Sequence, residues 1–332
     1  MKGFCVFLLI VLLAVSGCGP NKKRLLADIT GVAVTDVKIH RYDLDLFHVD
    51  PAQLRQGMES LKPAYRFFLG ADLSNPVKLA EMKSYLDNPR NQDFHREVTL
   101  KYRDLGPLEK ALTEAFRHYK YYYPQRRLPR VYSYISGGDY DYPVQFADSV
   151  MIIGLDNYLG QNFKVYVADG LPVYRVTRMT PDDILPDCMK VLGEISYPNG
   201  IPGNTLLAQM IQAGKRCYFI DAMIPAVEDR LKIGYTKAQY DWMMKNEQHV
   251  WAAIIENRFL YASDGQLIRT FMADGPFTAE FSREAPSRMG EWIGWQIVKS
   301  YMANHEEVTL DNLFSEPDPQ RILTLSKYKP DK

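Results

Sequence analysis

Apolar positions run together at the N-terminus, alternate in a few early stretches, and fall into a helical period over most of the rest of the chain. Residues 4–15 form an almost unbroken apolar run. Alternation over 32–47 predicts an early strand, and Pro51 opens a predicted helix over 51–69. A clearer helix is predicted over 104–123, where Leu105, Leu108, Ala111, Leu112, Ala115 and Phe116 recur at helical spacing before Pro124 stops it. A β-rich stretch follows. Strands are predicted at 131–135 and 144–155 around a Gly137-Gly138-Asp139 turn, with short ones at 164–167 and 173–176. After Thr180 helices dominate. Thr180 and Asp183 form a capping-box-like start with Pro181 in the first turn. Helices are predicted over 181–194, 204–221, 237–260 and 287–304, with a short one at 319–326. The pattern defines an α+β fold, helix-rich, with a small antiparallel or mixed sheet.

The run at 4–15 is too short for a membrane span, which needs ~20 residues, and it has the length of a signal-peptide core behind the charge of Lys2. Val15-Ser16-Gly17-Cys18 follows at once. Small residues before a cysteine suit a lipoprotein signal peptidase, whose cleft admits little else, and the motif resembles the bacterial lipobox. Lipidation is therefore expected at Cys18, where acyl chains add ~0.8 kcal/mol of membrane affinity per buried methylene. The expected organisation is a signal peptide at 1–17, a lipidated tether at 18–30 carrying Lys22, Lys23 and Arg24, and one globular domain at 31–332. The chain has 40 basic and 40 acidic residues, so it shows no basic excess of the kind that marks a nucleic-acid partner. Cys188 and Cys217 are the cysteines left beyond the anchor, and the spacing leaves both a bridge and two buried thiols open.

The candidate chemistry is mostly negative. No two of the six histidines lie three or four apart, so no helix presents a histidine pair to a metal. Phosphate-binding loops, dinucleotide fingerprints and the Gly-x-Ser-x-Gly elbow are absent. Asp139-Tyr140-Asp141 resembles the start of a calcium loop but lacks its downstream glycine and glutamate, and reads better as a solvated turn. Helix 204–221 is the most informative. Leu206, Met210, Ala213, Cys217 and Ile220 form an apolar stripe, beside a polar one of Gln209, Gln212 and Arg216. With the remaining faces largely apolar, the polar stripe reads as the lining of a cavity. Trp292 and Trp295 share a helix face and are expected in the core, and Pro286-Ser287-Arg288 leads into their helix. The predicted cleft is bordered by helices 204–221, 237–260 and 287–304 and lined by Gln209, Gln212, Arg216, Glu247 and Arg288.

Several motifs keep their order along nearly the whole chain. They include Arg41-Tyr42-Asp43, Ile153-Gly154-Leu155-Asp156-Asn157-Tyr158-Leu159-Gly160, Gly214-Lys215, Tyr218-Phe219-Ile220-Asp221-Ala222, Asn246-Glu247, Trp292-Ile293-Gly294-Trp295 and Ser326-Lys327-Tyr328-Lys329-Pro330. In these the chain resembles the gliding-motility lipoprotein GldB family, with Ser287 standing where that family's glycine is expected. The resemblance implies a lipid-anchored protein of the gliding and associated secretion machinery. With no acidic cluster after Cys18, it implies a domain facing the periplasm. The family is in turn distantly similar to predicted zinc peptidases that carry His-Glu-x-x-His on a helix. Overlaid on this chain, the histidines fall on Ala208 and Gln212 and the glutamate on Gln209, none of which supplies a zinc ligand or a general base. That implies a degenerate zincin-like core without metal or cofactor, acting by binding other envelope proteins. The alternative is a hydrolase using Glu247, His249 and Glu256, although a helix points Glu247 and His249 to different faces.

Overall fold

The computed structural model describes residues 25, 27–70, 72–278 and 281–330. The expected signal peptide, Cys18 and most of the expected tether lie outside the described residues. Leu25, within the stretch expected to be tether, is 4% exposed and packs in the main core.

The first strand, β1 (Ile39–Arg41), is far shorter than the alternation suggested and runs straight into the helical turn α1 (Tyr42–Asp45). Val37, just before it, and Ile39, its first residue, spend their backbone donors on side chains of a helix. Val37 donates to Thr113 Oγ1 and Ile39 to Glu109 Oε1, both at 2.9 Å. The helix predicted at 51–69 is a 3-10 turn, Pro51–Gln53, followed by α2 (Leu54–Leu61). Two helices went unpredicted, α3 (Pro76–Asp87) and α4 (Pro89–Lys101). Each opens on an asparagine cap followed by proline, and α3 buries only Leu86 outright, so its apolar period is faint. Next comes α5 (Gly106–Tyr122), where the sequence placed it.

Strands β2 (Arg130–Tyr134), β3 (Val144–Ala147) and β4 (Val150–Gly154) complete a four-stranded sheet in the order β1-β2-β4-β3. The β1–β2 and β2–β4 pairs are parallel and β3–β4 is antiparallel, which makes the sheet mixed. The single strand predicted at 144–155 is thus a hairpin. Asp148 and Ser149 turn it at φ 47° and 67°, a left-handed pair more often built with Asn-Gly. Both sheet faces are covered. Val131, Met151 and Ile153 face the helical body, while Tyr132, Val150 and Ile152 face a smaller core with Tyr42, Leu54, Met58 and Tyr65. The short strands predicted at 164–167 and 173–176 are single-turn helices, α6 (Lys164–Ala168) and α7 (Val173–Val176). They close local bonds, Asp169 N–H to Val165 O and Thr177 N–H to Val173 O, instead of pairing with the sheet.

The helical body comprises α8 (Ile184–Ser196), α9 (Leu206–Met223), α10 (Asp229–Ile233), α11 (Lys237–Glu256), α12 (Gly265–Met272), α13 (Met289–Asn304), α14 (Leu310–Ser315) and α15 (Pro319–Ser326). Helix α9 is its axis, buried at every position except Gln209 and Arg216. It crosses α13 at touching backbones. A Cβ on Gly214 would lie 2.2 Å from Gly294 O, and one on Gly294 would lie 1.8 Å from Met210 O. Only glycine fits at either position. The close crossing carries Trp292 and Trp295 into the core, 2% and 0% exposed. Beside it, Lys232 bonds Asp221 at 2.5 Å and Asp229 at 3.1 Å, and Lys299 bonds Asp229 at 3.0 Å. This buried four-charge net fastens α9, α10 and α13 together.

Candidate functional site

A cleft of about 600 Å³ opens where the C-terminal ends of the parallel strands meet the helical body. Its floor begins in the 3-10 turn Leu155–Tyr158, which continues β4 and is buried at every residue. Asp156 faces inward and fixes the neighbouring turn, accepting from Ser136 N–H and Ser136 Oγ at 2.8 Å and from Gly138 N–H at 3.1 Å. Burial raises its pKa against those hydrogen bonds. A carboxylate inside the fold therefore holds the Gly137-Gly138-Asp139 turn, with both glycines in the left-handed region at φ 73° and 88°. Asn157 and Tyr158 line the cleft. The Tyr158 hydroxyl donates to Asp187 Oδ2 at 2.8 Å.

Helix α8 and the turn before it supply the acidic wall. Asp183 accepts from the Thr180 hydroxyl at 2.5 Å and from Thr180 N–H at 3.2 Å, closing the capping box that the sequence suggested. Burial, reinforced by the charge of Asp187, pushes the Asp183 carboxyl up to about 7. Burial also raises Asp187, against the pull of Lys190, Arg178 and Arg288.

The opposite wall is cationic and largely self-satisfied. Arg288 begins α13 from a left-handed backbone, φ 58°. It donates to Ile233 O at 2.7 Å and Gly234 O at 3.0 Å, and pairs with Glu291 at 3.2 Å and Asp274 at 3.3 Å. Arg178 pairs with the same Asp274. At the mouth, Arg175 bonds Tyr140 O at 2.9 Å and Asp141 at 2.8 Å. Lys190 and Arg216 stand exposed at the rim, and neither makes a hydrogen bond or ion pair among the described residues. Cys217 lies in the wall with its thiol pushed up to about 12 by burial, which keeps it protonated and weakly nucleophilic at neutral pH. Cys188 is also buried and the two thiols are unbridged.

Of the residues assigned to a cleft from sequence, Arg216 and Arg288 line this one. The others lie elsewhere. Gln209 is exposed, and Gln212 is buried with its Oε1 accepting from Ile201 N–H at 2.9 Å. Helix α11, predicted as a border, contributes no lining residue. Its Glu247 instead accepts from Trp292 Nε1 at 2.7 Å and from the Tyr328 hydroxyl at 2.8 Å. His249 and Glu256 are exposed on α11, so the hydrolase set of Glu247, His249 and Glu256 is not assembled around the cleft. Ala208 is buried, and among the described residues no three His, Cys, Asp or Glu side chains are grouped to hold a metal ion. Sequence reasoning missed Asn157, Tyr158, Asp183 and Asp187. The available signal was Asp156-Asn157-Tyr158, polar groups placed directly after the fully buried β4.

Fold and site together define a helix-rich α+β protein with a mixed sheet and a charged cleft at its strand ends. Among the described residues no helix is long and apolar enough to cross a membrane. The family model described as gliding motility protein GldB matches residues 22–330, and the chain belongs to that family. Membership makes it a membrane-associated lipoprotein involved in gliding motility. No curated protein and no solved structure matches the chain.

Proposed function

We propose that this protein is held at the membrane by a lipid on Cys18, faces the periplasm, and serves the gliding and secretion machinery by binding another envelope protein in the cleft. The observation that carries the reading is the division of labour among the cleft arginines. Arg175, Arg178 and Arg288 are spent on ion pairs and backbone carbonyls that hold the walls, while Arg216 is left exposed on a helix whose other residues, Gln209 apart, are buried. A charge kept at the mouth of a prebuilt polar cleft suits recognition. The thiol in the wall is held protonated by burial, and no histidine lines the cleft to activate it.

The experiment is charge reversal. Arg216→Glu and Lys190→Glu should leave the thermal midpoint near that of the native protein, because both groups are exposed, and should impair gliding or the associated secretion. Full function with both substitutions combined contradicts the reading. For the anchor, Cys18→Ala should move the protein from the membrane fraction to the soluble fraction, and unchanged membrane retention contradicts lipidation at that residue.

A further inference from the structure

The hydrogen bonds of the cleft floor describe its missing partner. Asn157 is 1% exposed and lines the cleft, yet among the described residues its Oδ1 has no partner. The orientation of its amide is fixed. Ser136 Oγ gives its own proton to Asp156 and so accepts from its other neighbours, one of which is Asn157 Nδ2 at 3.1 Å. The oxygen is therefore the end of the amide without a donor among the described residues, and buried acceptors in folded proteins are matched by donors. Close by, among the described residues, Asp187 accepts only from Tyr158, and Asp183 only from Thr180. Arg178 and Arg288 are already matched by Asp274 and Glu291, which leaves these two carboxyls in excess. The interior thus has spare acceptors and spare negative charge, while the rim carries Arg216 and Lys190. Next in sequence to the mouth residues Asp141 and Tyr174, the apolar side chains of Tyr142 and Val173 are 65% and 78% exposed.

Resting on the reading of the cleft as a binding site, we infer that it receives a primary ammonium group carried on a peptide, with Asn157 Oδ1 and Asp187 as its acceptors and Arg216 holding a peptide carboxylate at the rim. A neutral sugar would leave both the inner carboxyls and the rim cations unmatched, and a simple amine would leave the rim cations unused. A peptide presents donor, charge, apolar side chain and carboxylate in one extended molecule. Burial raises both inner carboxyls, Asp183 to about 7, and a nearby ammonium favours their ionised form, so binding near neutral pH releases protons from Asp183.

The test is calorimetry on the full-length protein in detergent with three mixed-sequence tetrapeptide pools. The first has free N-termini, the second is N-acetylated and free of lysine, and the third is N-acetylated and contains lysine. Saturable binding of the first pool and none of the second supports the inference with the chain terminus as the source of the amine. Binding of the third pool supports it with the lysine side chain as the source. Asn157→Ala, measured below its own thermal midpoint, should weaken binding at least about tenfold, as expected for losing a hydrogen bond to a charged group. Arg216→Ala should abolish the preference for free over amidated C-termini. Equal binding of the acetylated, lysine-free pool overturns the ammonium assignment and leaves the cleft standing as a binding site. Absence of binding by every pool overturns the inference, while the phenotype of Arg216→Glu judges the cleft itself separately.

Discussion

Trp292 donates its indole N–H to Glu247 at 2.7 Å, and Tyr328 donates its hydroxyl to the other oxygen of the same carboxylate at 2.8 Å. Glu247 therefore joins α11, α13 and the C-terminal segment, and none of the three side chains lines the cleft. Glu247→Gln replaces one acceptor with a donor that faces a donor. It should cost about 1–3 kcal/mol and shift tryptophan emission, whereas Tyr328→Phe should cost about 1 kcal/mol. Denaturant midpoints measure both. A Glu247→Gln protein of native stability that fails to support gliding would falsify the structural role.

The Gly214–Gly294 contact sets how closely α9 and α13 approach. Gly294→Ala drives a Cβ into the Met210 carbonyl, which is backbone and has no rotamer to escape through. The expected loss is at least about 3 kcal/mol, the upper end for overpacking. Accumulation of folded protein at native levels with an unchanged midpoint contradicts this crossing.

The net of Lys232, Asp221, Asp229 and Lys299 is buried enough to resist screening, with the Lys232 side chain 1% exposed. Burial works against the Asp229 anion, yet Lys299 and Lys232 outweigh it and hold its pKa below the usual value. Lys232→Met leaves buried carboxylates short of a cation and should cost about 3–5 kcal/mol, nearly independent of salt. A strong salt dependence of that loss, measured in urea titrations, contradicts a buried net.

Asp183 gives the cleft a pH signature. Its carboxyl ionises near 3.8 when unfolded and near 7 in the fold, so the folded state holds the proton more tightly. That contribution to stability is complete below the unfolded value and disappears as pH rises to about 7. The thermal midpoint of the native protein should fall relative to Asp183→Asn between pH 5 and pH 8. Parallel midpoint curves for the two proteins contradict a raised Asp183.

Much of the architecture was legible because it is periodic. Helix α9 could be read from Leu206, Met210, Ala213, Cys217 and Ile220, and the cap before α8 from Thr180 and Asp183. Elements set by partners far along the chain could not. β1 ends where Asp43 turns inward to bond Arg41 at 2.6 Å and Ser133 at 2.5 Å, and the β3–β4 turn uses Asp148 and Ser149 instead of glycine. At the cleft, Arg216 and Arg288 were legible as charges on or beside apolar helices. Gln212 and Glu247 looked equally suitable, and only tertiary contacts separate a side chain that lines a cleft from one that satisfies a neighbour. Asn157 and Asp187 were hidden for the opposite reason. One follows a buried strand and the other sits in a helical first turn, both ordinary places for a structural polar group.

The central claim is that the cleft binds a protein partner, and a photo-crosslinking amino acid at position 216 in growing cells tests it most directly. The account predicts an adduct between this protein and another envelope protein that Asp187→Asn diminishes, with none from position 77, where Val77 is 62% exposed on α3. The same adducts from both positions, or none at position 216 in cells that glide or secrete normally, would contradict it.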